Sequence, residues 1–213
     1  MRVLFCLFIL LGTAMISSAS GGGAPATRAL PAPSIDAGAT LKAALMGRQS
    51  TRTFSGKSVD EQTVSNLLWV ANGVNRGNGK LVVPAALAKY AISLYVMDKS
   101  GIWRHDRDAN TLTLATGKDM LAKAEGRGTM AVSSGLAILL VANYDTFGGM
   151  PRESGVAMIG VEAGAICQDI YLYCAASGLN AVCCGSLDRE AIARELQLPE
   201  GVMPFLTMVV GHR

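Results

Sequence analysis

The sequence has few charged and few aromatic residues. Of its 213 residues only 16% are charged and 6% aromatic, while half are hydrophobic. Disorder is excluded because it needs low hydrophobicity, and a coiled coil is excluded because it needs many more charges. The 19 basic residues barely exceed the 16 acidic ones. This balance leaves no basic excess to neutralise a row of phosphates, so nucleic-acid binding is not expected.

Histidine is also scarce, and the cysteines lack metal-binding spacing. His105 and His212 are the only histidines and no C-x-x-C motif occurs, which argues against a zinc site. Four cysteines lie beyond the N-terminal region, at 167, 174, 183 and 184. The adjacent pair Cys183 and Cys184 would bridge only with strain. We expect buried free thiols, although an oxidising compartment favours disulfides.

Residues 1–19 predict a secretory signal peptide. Arg2 precedes the apolar run Val3–Leu11, and the small residues Ser17 and Ala19 suit cleavage after position 19. The run is short for a membrane span, which needs roughly 20 residues, and an uncleaved N-terminal anchor is the alternative. Residues 20–38, rich in Gly, Ala and Pro, predict a flexible linker. We therefore expect an exported, periplasmic domain at residues 39–213, without a stable membrane span after leader cleavage.

Hydrophobic periodicity predicts an α+β fold with helices packed on a mainly antiparallel sheet. Predicted helices cover residues 35–47, a segment starting at the Ser58 and Glu61 capping box, a short stretch near 118–125, and residues 153–177 and 188–196. Predicted strands cover residues 92–96, 101–105, 111–115, 136–143, 180–184 and 205–210, with the second and third forming a hairpin.

The helix predicted at Glu153–Ser177 has apolar residues on nearly all sides. Such a helix is buried either in a large core or against a partner chain. At 1.5 Å per residue it is about 37 Å long, which is hard to hide in one domain of this size. An obligate homodimer would supply the missing cover.

A row of polar side chains follows the first predicted helix, in Arg48–Phe54. If this stretch is extended, Arg48, Ser50 and Arg52 project from one side at steps of ~6.6 Å. Two guanidinium groups flanking a hydroxyl suit a phosphorylated ligand, and Gln49 can reach a sugar-like hydroxyl or a ring edge. The alternative is a surface stretch whose arginines pair with carboxylates.

Four motifs occur in a fixed order: L-x-x-R-x-S-x-R-x-F from Leu45, NLLWVANGVNR from Asn66, PAALAKY from Pro84 and GLNAVCCGSLD from Gly178. With the closing VVGHR they resemble the FMN-dependent nitroreductase-like flavoproteins. The second and third match best the branch of exported Bacteroidetes-type members and peptide-heterocycle (SagB-type) dehydrogenases. The resemblance covers Leu41–Arg213.

The resemblance implies an intertwined homodimer with FMN at the subunit interface. It assigns the FMN phosphate, ribityl chain and pyrimidine edge to Arg48, Gln49, Ser50 and Arg52, with a further phosphate contact from Arg213. It places Pro84, Ala85 and Ala86 along the isoalloxazine ring and Gly185 and Ser186 near flavin N5.

The implied function is that of a flavin-dependent oxidoreductase. A small-molecule donor, NAD(P)H being one candidate, delivers hydride to FMN N5, and an electrophile such as a nitroaromatic or quinone then takes the electrons. The cofactor performs the hard step, so no acid, base, nucleophile or metal ligand is nominated. Ala85 stands where the branch usually has Ser, and Ala88 where many nitroreductases have a flavin-contacting Asn. The alternative is therefore a non-catalytic flavin- or partner-binding protein on the same scaffold.

Overall fold

The computed structural model describes residues 24–36, 38–126 and 128–213, and in these residues seven strands form one sheet. The strands are β1 (Thr27–Ala29), β2 (Ile92–Asp98), β3 (Gly101–Asp106), β4 (Thr111–Thr116), β5 (Ala137–Asn143), β6 (Leu179–Cys184) and β7 (Val202–His212). They lie in the order β1-β4-β3-β2-β5-β7-β6, and every neighbouring pair is antiparallel. The predicted α+β fold is confirmed.

The centre of the sheet is covered on both faces, as the apolar run of β5 predicts. Because successive strand residues point to opposite faces, Ile138 and Leu140 join one hydrophobic cluster and Leu139 joins the other. The helices that complete the two layers are α1 (Leu41–Gly47), α2 (Glu61–Asn72), α3 (Met130–Ser134), α4 (Arg152–Ala176) and α5 (Arg189–Glu195). Of these, α2 and α4 cover the first face, while α3 and α5 cover the second.

The start of α2 differs from the predicted capping box. The Asp60 carboxylate accepts a hydrogen bond from the Thr63 N–H at 2.7 Å, and the helix begins at Glu61. Ser58 lies two residues before this N-cap and is not part of it. The short Asp side chain directly before the first helical residue is therefore the cap.

Helix α1 starts six residues later than predicted. Gly38 has φ +67°, a left-handed conformation that ends helical geometry, and its N–H bonds to Asp36 Oδ1 at 3.0 Å. Thr40 then caps the helix by accepting from the Ala43 N–H at 3.2 Å. The prediction of a helix from Ile35 is wrong for this reason.

The other elements follow the predictions closely, with small differences. The hairpin of β3 and β4, the long helix, and the helix capped by Asp188 are all present. The short helix predicted near residues 118–125 is a single 3₁₀ turn at Leu121–Lys123, and α3 was not predicted. Two more 3₁₀ turns, Ala86–Ala88 and Tyr144–Phe147, were also not predicted.

The described part of the predicted flexible linker is hydrogen-bonded to the domain. β1 pairs with β4, and Arg28 forms an ion pair with Asp98 at 2.9 Å. Farther on, the Ser65 hydroxyl donates to the Pro31 carbonyl at 2.6 Å. The segment covers the otherwise free edge of β4, a place where prolines are tolerated. The linker prediction is therefore wrong for this part. The predicted signal peptide lies outside the described residues.

Helix α4 has one buried face and one uncovered face. Ile159, Ile166 and Ile170 are fully buried, whereas Val161 is 65% exposed. The helix is long and apolar enough to cross a membrane, but core helices pass that test too, and this one packs against α1, α2 and β6. Its buried side belongs to the domain core, and its apolar outer side remains open for another surface.

Candidate functional site

The segment Arg48–Phe54, hereafter the arginine segment, runs along the sheet edge formed by β6. The Thr51 N–H donates to the Ala181 carbonyl at 2.9 Å, and Asn180 Nδ2 donates to the Thr53 carbonyl at 2.7 Å. These bonds from β6 fix the backbone of the segment. The side chains of Ser50 and Arg52 remain exposed.

Tyr171 of α4 connects the arginine segment with β6. Its hydroxyl accepts a hydrogen bond from the Cys183 N–H at 2.7 Å and lies 2.8 Å from Ser50 Oγ. The Arg48 guanidinium lies over its ring, 5.3 Å from the centroid. Sequence reasoning missed this tyrosine, because helical periodicity does not reveal which side chain reaches across to a neighbouring segment.

The arginines near this edge form no ion pair with a carboxylate of the described residues. Among the described residues the ion pairs are Arg28–Asp98, Arg107–Asp108, Lys118–Glu195 and Lys123–Asp188. Neither Arg48 nor Arg52 nor Arg213 belongs to any of them. The alternative reading, a surface stretch paired with carboxylates, therefore fails within the described part of the chain.

Arg52 and Arg213 both lie beside β6. Arg52 stands between Thr51 and Thr53, whose backbone groups are hydrogen-bonded to Ala181 and Asn180 of β6. Arg213 lines a small crevice together with Gln49 and Tyr171. The predicted phosphate-binding side chains therefore gather around β6.

Gly185 and Ser186 follow β6 directly and are exposed. The Ser186 hydroxyl accepts a hydrogen bond from the Gly126 N–H at 3.1 Å, and a Cβ added at Gly126 would lie 3.0 Å from Ser186. Gly126 thus permits this close approach. The turn that the resemblance assigns to flavin N5 thus directly follows the strand along which the arginine segment runs, and Gly185 is exposed there.

Pro84, Ala85 and Ala86 lie elsewhere, between α2 and β2. Among the described residues no hydrogen bond joins them to the arginine segment. The backbone beyond them is strained, since Leu87 and Ala88 have φ +57° and +55°, and Leu87 is 70% exposed. This part of the predicted site is not brought together with the arginines in one protomer.

Glu162 anchors this second region to α4. Its buried carboxylate accepts hydrogen bonds from the N–H groups of Ala91 at 2.9 Å and Ile92 at 3.2 Å, at the start of β2. Burial raises the pKa of this carboxyl, and the two hydrogen bonds oppose the rise. Glu162 and Tyr171 are nine residues apart, about 13 Å along the helix axis. One helix therefore holds both regions, at different points.

The crevice beside the arginine segment is too small for a cofactor. Its volume is about 10 Å³, whereas ligand pockets usually measure roughly 300–1,000 Å³. Larger cavities of about 340 and 360 Å³ lie under the start of α2 and beside β3. Neither cavity is lined by residues of the arginine segment. We place the candidate site by its guanidinium groups rather than by cavity volume. In one protomer the candidate site is an open surface.

Several large apolar side chains are exposed: Leu41, Leu45 and Met46 on α1, Val161 on α4, and Leu87 beyond the 84–86 segment. Helix α1 packs on α4, so the first four lie on neighbouring helices. Exposed apolar groups in such a patch mark an interaction surface.

Comparison with known proteins identifies the family. The model described as the nitroreductase family matches residues 45–212, which include the arginine segment, the 84–86 segment and the turn after β6. The chain belongs to the nitroreductase family. The match covers most of the domain and both regions of the candidate site.

Individual nitroreductase relatives agree with this assignment. The chain is 24% identical over 182 residues to a predicted nitroreductase of Methanocaldococcus jannaschii, covering 81% of this chain and 91% of that one. The crystal structure of a predicted nitroreductase from Ralstonia eutropha has a TM-score of 0.79 and 31% identity, covering 87% and 89% of the two chains.

A more distant likeness concerns the fold alone. The microcin synthetase complex of Escherichia coli contains a chain with a TM-score of 0.66 and 16% identity, covering 80% of this chain and 72% of that one. The nitroreductase fold is therefore shared with a chain of this synthetase complex.

Proposed function

We propose that this nitroreductase-family protein is an FMN-dependent oxidoreductase that passes hydride through flavin N5 to an electrophilic acceptor such as a nitroaromatic or quinone. The observation that carries the proposal is the set of guanidinium groups of Arg48, Arg52 and Arg213 around β6, which form no ion pair with any carboxylate in the part of the chain that the structure describes. Cations without carboxylate partners are suited to a phosphate group.

The residues present fit FMN by their chemistry. Arg48 and Arg52 provide forked donors for the phosphate, and Gln49 and Ser50 offer an amide and a hydroxyl for the ribityl chain or the pyrimidine edge. At Gly185 no side chain shields the backbone N–H from a flat ring. When bound, FMN supplies two-electron chemistry at N5, and the protein supplies binding and orientation.

We assign no catalytic acid or base among the described residues around β6. His105 lies on the β3–β4 hairpin, where burial lowers its pKa, and hydrogen bonding to Asn110 opposes the shift. Within the described residues, no group of three or more His, Cys, Asp or Glu side chains could hold a metal ion. The proposal therefore places the chemistry on the cofactor.

The proposed site is completed by a second copy of the chain. Pro84, Ala85 and Ala86 of one subunit would face the arginine segment of the other, which explains why they are apart within a protomer. The exposed apolar residues of α1 and α4 would be covered in the same homodimer. We further propose an exported, periplasmic protein whose small-molecule donor is to be found by assay.

One feature favours a second candidate, a non-catalytic flavin- or partner-binding protein. Ala85 and Ala88 bring no polar group to the 84–88 segment, so little there would tune the reactivity of a bound flavin. A bound flavin that no donor reduces would support this second candidate over the first.

The test starts from the purified chain, FMN and an absorption spectrum. The proposal predicts that the protein retains flavin, and that NAD(P)H or a chemical donor reduces it and a quinone or nitroaromatic reoxidises it. A protein that stays colourless after incubation with FMN would exclude both candidates that involve flavin. Steady-state turnover with each donor then identifies the reductant.

A further inference from the structure

Two cysteine side chains that are distant in sequence meet behind the candidate site. Cys167 Sγ on α4 lies 3.6 Å from Cys183 Sγ on β6, and both are free thiols. Cys167 is buried, whereas Cys183 is partly accessible. This distance is a direct sulfur contact, longer than the ~2.05 Å of a disulfide bond.

The other two described cysteines are not placed to compete for this pairing. Cys184 follows Cys183 in β6, but successive strand residues point to opposite faces, and Cys184 belongs to the hydrophobic cluster on the other face of the sheet. Cys174 is two helical turns from Cys167, about 10 Å along α4. The structure therefore singles out one pair of thiols.

We propose that Cys167 and Cys183 form a reversible dithiol–disulfide pair, a redox modification site that ties α4 to β6. The sulfurs need to approach by only about 1.5 Å to reach bonding distance, which rotation of the side chains can supply. The contact joins two side chains of one chain, neither of which is assigned to FMN.

The two thiols differ in a way that suits this chemistry. A hydrogen bond from the Cys167 thiol lowers the pKa of Cys183, while the same bond and burial raise the pKa of Cys167. Cys183 is also the thiol that a small molecule can reach, since it is partly accessible and Cys167 is buried, so we assign Cys183 as the nucleophile and Cys167 as the resolving thiol. The Cys183 N–H, held by the Tyr171 hydroxyl, keeps the strand in place.

The oxidant is a low-molecular-mass disulfide. The Cys183 thiolate attacks one sulfur of it, forming a mixed disulfide and releasing one thiolate. Cys167 then gives up its proton and attacks the Cys183 sulfur, which forms the protein disulfide and releases the second small thiol. Two protein thiols are oxidised, one small disulfide is reduced to two thiols, and excess dithiol reverses the exchange.

The experiment uses the purified full chain, oxidised glutathione as the oxidant and dithiothreitol as the reductant. Free thiols are alkylated under denaturing conditions and counted by mass spectrometry, and peptides are mapped without reduction. The proposal predicts that oxidation removes two alkylation sites, that one peptide pair links Cys167 to Cys183, and that dithiothreitol restores both sites.

The variants separate this pair from the other thiols. Cys167→Ser and Cys183→Ser should each abolish the linked peptide, whereas Cys174→Ser, the matched change on the same helix, should keep it. If a variant fails to fold, the peptide mapping of the unaltered chain still tests the proposal. A chain that keeps all its thiols in excess oxidised glutathione, or one that links Cys183 to Cys184, would overturn the proposal. Flavin binding is measured separately, so neither result depends on it.

Discussion

The two halves of the candidate site are built differently. The arginine segment is fixed to β6 by backbone and side-chain hydrogen bonds and by Tyr171. In the 84–88 segment Pro84, Leu87 and Ala88 are exposed and the backbone at the last two is strained, while Glu162 of α4 bonds to the start of β2, which follows the segment. This difference is what the proposed homodimer requires, because there the 84–88 segment of one chain would serve the arginine segment of its neighbour.

The largest expected effect concerns the first half. Arg48→Ala or Arg52→Ala removes a charge-assisted contact worth about 1.5–3 kcal/mol, which weakens FMN binding by roughly 10- to 150-fold. Isothermal titration calorimetry measures the affinity. Arg104 is an exposed arginine of β3, which three intervening strands separate from β6. Arg104→Ala is therefore the matched control and should bind FMN as the unaltered chain does. Equal affinity in all three variants would remove the arginine segment from the site.

The next effect tests whether the second half needs a partner. Val161→Arg puts a charge on the uncovered face of α4, where its burial at an interface is costly, and should weaken self-association by about 10- to 100-fold. Val132→Arg on α3 is the control, because α3 covers the opposite face of the sheet and Val132 is also exposed. Sedimentation of both variants measures the change. A dimer that survives Val161→Arg would contradict the assigned interface.

A smaller effect compares two tyrosines of α4. Tyr171→Phe leaves the Cys183 N–H without its partner and should lower the free energy of unfolding by about 1–3 kcal/mol. Tyr173→Phe removes a hydroxyl that accepts from Asn66 Nδ2 at 2.9 Å, away from the arginine segment. Urea unfolding measures both, and only Tyr171→Phe should also weaken FMN binding. Equal flavin affinity in the two variants would show that Tyr171 does not position the arginine segment.

The smallest effect is a pH dependence at Glu162. Burial raises the pKa of Glu162 in the folded state, so the folded protein keeps a proton on this carboxyl at pH values where the unfolded chain has lost it. The bound proton stabilises the folded state, and this stabilisation falls as pH rises above about 4.5. Glu162→Gln lacks this titration. The stability difference between the unaltered chain and the variant should therefore shrink with rising pH in urea unfolding. A difference that grows with pH would mean that hydrogen bonding, rather than burial, dominates at this carboxylate.

Much of the fold could be predicted from the sequence, because long apolar patterns decide it. The run in β5 and the pattern of α4 gave correct elements. Local chemistry was harder: Asp60 rather than Ser58 caps α2, since two side chains near one helix start compete and only geometry selects between them. The proline-rich stretch around β1 looked unstructured because edge pairing leaves no apolar periodicity.

The candidate site was predicted in part, for similar reasons. Extended geometry of the arginine segment follows from its residue types, so its exposed side chains were expected. Tyr171 and the contact between Cys167 and Cys183 were missed, because they depend on how α4 lies across β6. Periodicity reports which face of a helix is buried, but it does not report which residue on that face meets which strand residue.

The most direct test of the whole account is sedimentation velocity of the purified chain with FMN, recorded at the flavin absorbance. The account predicts that flavin sediments with a dimer at one molecule per subunit, because each site needs the arginine segment of one chain and the 84–88 segment of the other. Flavin that sediments with a monomer, or that stays behind as free ligand, would contradict it.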